Sequence, residues 1–284
     1  MIAAVAAWFV LRPRPLPADT FAGLTGDVTR GEQVFWAGGC AACHAAADAK
    51  GDGKFLLAGG QALPSPFGTF YAPNISTDPA AGIGGWTVEN LGNAMMRGVS
   101  PEGSHYYPAF PYASYAKAEP QDIADLHAFL ATLPADPTPS KPHDVGFPFN
   151  IRASLGGWKF LYLNTDWVVA GDLTPEETRG RYLVEALGHC GECHTPRNAL
   201  GGMERDKWLA GAPTPDGKGG FPNITPGKMK WSSADIVEYL TSGFTPEYDS
   251  AGGHMALVIE NTAHLPDTDR AAIAAYLKKV PPLE

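Results

Sequence analysis

Apolar residues recur at helical spacing in several short stretches of this chain, separated by long stretches without a lasting period. Across residues 119–133, Ile123, Leu126, Leu130 and Leu133 return at intervals of three and four, which predicts a helix with one buried face. Residues 29–36 read as a helix with Thr29 as its N-cap, and residues 86–97 as another. Between them, the glycine- and proline-rich residues 51–73 read as loop.

The same plan recurs further on. A helix opens at Thr174, Pro175 and Glu176 and runs through Tyr182 to Leu187. Pro73-Asn74-Ile75-Ser76 returns as Pro222-Asn223-Ile224-Thr225, and Trp86 with Gly98 as Trp231 with Gly243, with Leu91 and Met95 matched by Ile236 and Leu240. The closing stretch from Asp122 to Pro134 returns as Asp269 to Pro281. Two similar helical units follow, at 28–134 and 174–284, joined by a linker of 135–173 and preceded by residues 1–27.

The hydrophobic share of 44% across 284 residues supports two cores, and the 33 glycines and 26 prolines suit short helices joined by long loops. A net charge of −9 provides no basic face for nucleic acid. Residues 1–11 are almost wholly apolar and then meet Arg12 and Arg14 among prolines. A membrane span needs about 20 apolar residues, so this run reads as a remnant of an export signal or anchor, or as an atypical export signal.

Each unit contains one C-x-x-C-H segment, Cys40-Ala41-Ala42-Cys43-His44 and Cys190-Gly191-Glu192-Cys193-His194. Two thiols one helical turn apart can both form thioethers to the vinyl groups of one porphyrin, and the adjacent imidazole then reaches the iron as proximal ligand. Four thiolates could instead build one zinc site, but a histidine directly after both pairs argues for haem. The expectation is an all-α chain of two tandem cytochrome c-like domains with two covalently bound haem c groups. Cys40, Cys43, Cys190 and Cys193 would attach them, and His44 and His194 would be proximal ligands.

The repeat also suggests distal ligands. The twelfth residue after Gly243 is Met255, whose thioether suits a low-spin haem. It is favoured for the second haem over Met203, Met229 and His254, which read as surface or loop residues. The twelfth residue after Gly98 is Phe110, which cannot bind iron. Met95 is the preferred replacement, with Met96, His105 and an open iron site as alternatives. Tyr106, Tyr107, Tyr112, Tyr115, Trp86, Trp231, Asn74 and Asn223 are candidate hydrogen-bond donors for haem propionates and read equally well as packing or turn residues, and Arg97 and Arg197 are candidate ionic partners. His127, His143 and His264 read as solvent-facing or structural.

Asn74-Ile75-Ser76-Thr77-Asp78, Gly82-Ile83-Gly84-Gly85-Trp86, residues 105–112 and Asn261-Thr262-Ala263 together resemble the multihaem cytochrome c subunits of bacterial membrane-associated alcohol, gluconate and aldehyde dehydrogenases. The similarity covers about Gly31 to Pro281. It implies electron transfer from a catalytic subunit holding a quinone, flavin or molybdenum cofactor to ubiquinone or another cytochrome. Because haem is attached to such motifs outside the cytoplasm, a periplasmic location is the expectation, with the N-terminal segment as a candidate tether to the inner membrane. The alcohol dehydrogenase members have three haem motifs, so this chain resembles a shorter two-haem relative, and Phe110 stands where many members have methionine. The competing reading is a dihaem enzyme with an open iron site, such as a peroxidase.

Overall fold

The computed structural model describes residues 1–215 and 217–284. It is a helical assembly, as the periodicity predicts, with two short hairpins that the periodicity does not predict. Its helices are α1 (Ile2–Leu11), α2 (Val28–Ala37), α3 (Cys40–His44), α4 (Val88–Arg97), α5 (Tyr112–Tyr115) and α6 (Pro120–Leu130), then α7 (Ser154–Tyr162), α8 (Pro175–Tyr182), α9 (Gly191–His194), α10 (Ser233–Ser242), α11 (Gly253–Thr262) and α12 (Asp267–Lys279). The hairpins pair β1 (Ala62–Ser65) with β2 (Gly68–Tyr71), and β3 (Ala212–Pro213) with β4 (Gly220–Phe221).

Local chemistry sets the helix starts. Thr87, Thr174 and Ser232 each accept from the backbone three residues on, and Asn90, Glu177 and Asp235 return the bond, closing capping boxes. Asp27, not Thr29, caps α2, accepting from the Arg30 amide at 2.9 Å. The expected loop at 51–73 contains a 3₁₀ turn (Gly51–Phe55) and the β1–β2 hairpin, and the expected linker contains α7.

Each half is built on one crossing, α2 over α6 and α8 over α12. Glycine makes both possible: a Cβ on Gly31 would lie 2.0 Å from the Asp125 carbonyl oxygen, and one on Gly180 would lie 1.9 Å from that of Ala272. Beside each crossing an arginine forks onto a carboxylate. Arg30 Nε donates to Asp125 at 2.7 Å, and Arg179 donates to both oxygens of Asp269 at 2.9 and 2.7 Å. One core runs through both halves, holding Phe35, Leu57, Ile123 and Leu126 together with Leu183, Leu187, Leu209 and Tyr276.

The halves differ by one residue at a defined place. Gly31 stands nine residues before Cys40, and Gly180 stands ten before Cys190. The extra residue is taken up as a π-helical turn at Leu183–Leu187, which keeps the following motif in place while the crossing is preserved.

Candidate functional site

The first C-x-x-C-H segment is the single-turn helix α3. Gly39, at φ 63°, turns the chain out of α2 and into it. The thiols, three positions apart, share one side of the turn and His44 follows directly. The His44 Nδ1 lies 2.8 Å from the Pro73 carbonyl. That acceptor fixes the proton on Nδ1 and leaves the Nε2 lone pair available to a metal.

Backbone bonds hold the acceptor in place. The Gly59 amide donates to the His44 carbonyl at 2.8 Å, and the Ile75 amide to the Leu57 carbonyl at 2.9 Å. Gly59 has φ 73°, and a Cβ there would stand 2.4 Å from the Pro73 carbonyl carbon and oxygen. The Asn74 side chain donates to the carbonyls of Asp136 and Thr138, both at 2.8 Å, sewing the segment to the chain beyond α6.

The second motif repeats these contacts one by one. The His194 Nδ1 lies 2.8 Å from the Pro222 carbonyl, the Gly211 amide donates to the His194 carbonyl at 2.7 Å, and the Ile224 amide to Leu209 at 3.0 Å. Asn223 donates to Leu283 beyond α12 at 2.9 Å. Here His189, at φ 40°, takes the left-handed place that Gly39 holds in the first half.

All four cysteines are free and half-buried. Burial, chiefly, pushes the Cys40 and Cys190 thiols up to about 12 and that of Cys193 to about 11, and raises Cys43. Burial also lowers His44 and His194, against the pull of their carbonyl partners. A setting that penalises thiolate suits the uncharged sulfur of a thioether, and one that penalises imidazolium suits a neutral metal-ligating ring. Among the described residues no three of His, Cys, Asp or Glu gather to hold a metal ion. The residues fit haem c.

On the distal side the halves part. Met255 lies in the first turn of α11, half-buried against the core. This helix packs on α10 and on α2 and α3 of the first half. Phe110 is half-buried between the rings of Tyr106 and Tyr115, with centroids 6.0 and 5.9 Å away. Met95 and Met96 are both buried in α4, at 5% and 7% exposure. His105 is buried with Nε2 already 2.9 Å from the Leu11 carbonyl. Met203 and Met229 sit in loops but pack against the core, and His254 is exposed.

Five of the ten expected propionate donors have other partners, Asn74 and Asn223 among them. Tyr115 donates to the Gly38 carbonyl at 2.8 Å, Arg97 to the Arg14 carbonyl at 3.1 Å, and Arg197 pairs with Glu192. The buried Tyr112 hydroxyl has no hydrogen-bond partner among the described residues, so it remains open to such a role. His127 meets the Trp86 carbonyl, His143 accepts from the Tyr71 amide, and His264 stacks on Trp36 at 3.8 Å, so all three are structural.

The two motifs face one another across the join. The Gly38 carbonyl, next to Gly39 and Cys40, takes the Tyr115 hydroxyl, and the Tyr115 ring meets His189 edge-on at 5.5 Å, directly before Cys190. Ser114 donates to Glu192, inside the second motif, at 2.8 Å. Sequence reasoning missed this bridge and the carbonyls of Pro73 and Pro222; the recurrence of Pro-Asn-Ile was the available signal.

Comparison with known proteins agrees with the geometry. The family model for cytochrome c matches residues 28–134. A protein named diheme cytochrome c-type from Cereibacter sphaeroides is 61% identical over 284 residues, covering all of this chain and 96% of that one. The chain belongs to the cytochrome c family. Membership brings haem c as cofactor and electron transfer as role. This cytochrome is also 39% identical to the fructose dehydrogenase cytochrome subunit of Gluconobacter japonicus, over 95% of this chain and 56% of that subunit. It is 35% identical to the cytochrome c subunit of the quinone alcohol dehydrogenase of Gluconobacter oxydans, over 89% of this chain and 55% of that subunit. The chain thus spans about half the length of these dehydrogenase subunits.

Proposed function

We propose that this cytochrome c binds two haems and passes single electrons from a periplasmic dehydrogenase to a respiratory acceptor such as a quinone, a cytochrome or an oxidase. Residues 28–134 and 174–284 form the two haem domains, with Cys40 and Cys43 attaching one haem and Cys190 and Cys193 the other. His44 and His194 are the proximal ligands, Met255 is the distal ligand of the second haem, and Met95 that of the first. When bound, haem c supplies an iron that changes oxidation state by one electron.

The chain's own residues orient and insulate. The carbonyls of Pro73 and Pro222 fix each imidazole in the tautomer that a metal needs, and this paired contact carries the proposal. Phe35, Leu57, Leu187 and Leu209 are fully buried and exclude water from the core that both halves share. Tyr115 and His189 bring the motifs into contact through Gly38. The relatives named as dehydrogenase cytochrome subunits support a catalytic dehydrogenase as electron donor. The net charge of −9 suits a donor or acceptor with a basic face.

Haem quantitation by the pyridine haemochrome spectrum tests the core of this reading. Two haems per chain are expected, falling to one in Cys43→Ser and in Cys193→Ser; a colourless protein, or one haem lost to neither substitution, would overturn it. Phe110 favours one competing reading, an enzyme using an open iron on the first haem. Peroxide turnover by the purified protein would support that alternative, and none is expected.

A further inference from the structure

The turn that follows Gly98 and Gly243 is the last stretch that the two halves build alike, and it is covered in one half and bare in the other. In the first half the Ser100 amide donates to the Ser104 carbonyl at 2.8 Å, the Gly103 amide to Ser100 at 2.9 Å, and the Tyr106 amide to Gly98 at 2.7 Å. In the second half the amides of Thr245, Tyr248 and Ala251 donate to the carbonyls of Asp249, Thr245 and Gly243 at 2.8, 3.0 and 2.8 Å, repeating the three bonds one by one. The chain itself covers the first copy. Lys159 of α7 donates to the carbonyls of Arg97 and Gly98 at 2.7 and 2.6 Å, Arg152 just before that helix donates to His105 at 2.8 Å, and Val99 and His105 are both 4% exposed.

Among the described residues the second copy has no such cover: Phe244 is 59% exposed and Tyr248 96%. Tyr248 also stands at φ 65°, at the place where the first half has Gly103 at φ 76°. That left-handed region strains a tyrosine and not a glycine, so the ring is held out in water at a conformational cost that no packing offsets. Charge says what suits it. Residues 231–269 contain seven acids and no lysine or arginine. Within the turn, Glu247 stands where the first half has Glu102, and Asp249 is added where the first half has Ser104; both acids are exposed. The first copy is met by two cations and an apolar helix, and the second, richer in carboxylates and aromatic rings, matches such a surface more closely still.

We propose that the turn at 243–251 docks a basic-faced, one-electron redox protein, with Phe244 and Tyr248 in an apolar contact and Glu247 and Asp249 against a rim of lysines or arginines. Aromatic anchors supply affinity in such a contact, and the charged rim supplies steering. The turn runs directly into α11, whose first turn holds Met255. A partner seated there meets the chain beside the distal ligand proposed for the second haem, and one electron passes between that iron and the partner's centre, one oxidised as the other is reduced. This route rests on the ligation proposed above; the docking does not.

The test titrates the oxidised, haem-loaded chain with a basic redox protein, zinc-substituted mitochondrial cytochrome c, whose light-excited porphyrin gives one electron to a ferric haem. Calorimetry reads docking, and decay of the excited state reads electron transfer. Docking is expected at low salt and should weaken as salt is added. Glu247→Lys with Asp249→Lys should weaken it by about tenfold, whereas the same charge change at the exposed pair Asp48→Lys and Asp52→Lys in the first half should alter it by less than about twofold. Tyr248→Gly, the residue type that the first half has at this place, should weaken docking by about tenfold with the salt dependence kept. It should unfold at no lower urea concentration than the wild type, so that misfolding does not explain the loss. No docking, or equal docking by the variants of the turn, would overturn the proposal. So would a dimer in analytical ultracentrifugation that those variants dissolve while the probe stays unbound. Docking without electron transfer, in a chain shown to hold two haems, would overturn the route to the second haem and leave the docking surface standing.

Discussion

The two halves of this cytochrome agree closely on the proximal side of each motif and diverge on the distal side. In both, a glycine-dependent helix crossing leads into Cys-x-x-Cys-His, a proline carbonyl 2.8 Å away holds the imidazole, and an asparagine ties that proline's segment to the chain beyond the closing helix. Past Gly98 and Gly243 the likeness fades. The first half places Phe110 and the four-residue α5 where the second places Met255 and the ten-residue α11. The contacts shared by both halves fix how an imidazole is presented. The contacts that differ lie where the halves pack on each other and where a sixth ligand would enter.

The comparison breaks most visibly at the imidazoles. His44→Ala and His194→Ala should each halve the haem content measured by the pyridine haemochrome spectrum, and unequal losses would mean the proximal sides are not equivalent. Next in size are the crossings. Gly31→Ala and Gly180→Ala each drive a Cβ into a helix carbonyl, so each should cost about 1–3 kcal/mol in urea unfolding. A loss in one half alone would show that the crossings differ in slack.

An asymmetric effect of similar size is expected at Glu185. Its buried carboxylate accepts from the amides of Val168 and Val169 at 2.6 and 3.1 Å and from the Tyr276 hydroxyl at 2.6 Å. The corresponding place in the first half, counted from the crossing glycine, is Trp36. Glu185→Leu should therefore destabilise by about 1–3 kcal/mol through the unpaired amides, with faster proteolysis of the linker. The smallest effects are expected from Asn74→Ala and Asn223→Ala, about 0.5–1.5 kcal/mol each by the same unfolding measurement.

Much of this arrangement is legible in the sequence, for identifiable reasons. Side chains leave a signal when their type or spacing is restricted: Ile123, Leu126 and Leu130 mark α6, and the paired motifs mark both sites. Backbone acceptors leave almost none. Pro73 and Pro222 act through carbonyls that any residue has, so only their recurrence hints at a role. Thr29 and Asp27 are both capping residue types, and the geometry of the first turn shows that Asp27 takes the place. The β1–β2 hairpin escapes because its first strand shows no apolar alternation, and the π-helical turn because a single inserted residue leaves the local pattern unchanged. Met95 and Met96 share a buried helix, so burial does not separate them.

The distal difference is the most direct point of attack. Oxidised wild-type protein should give absorption and EPR spectra of two low-spin haems, with the weak sulfur-to-iron band at the red end, if Met95 replaces the ligand that Phe110 cannot provide. Met255→Ala and Met95→Ala should then each convert one haem, and not the same one, to a high-spin or altered form. A wild-type spectrum already holding one high-spin haem, or no change in either variant, would contradict the proposed ligation.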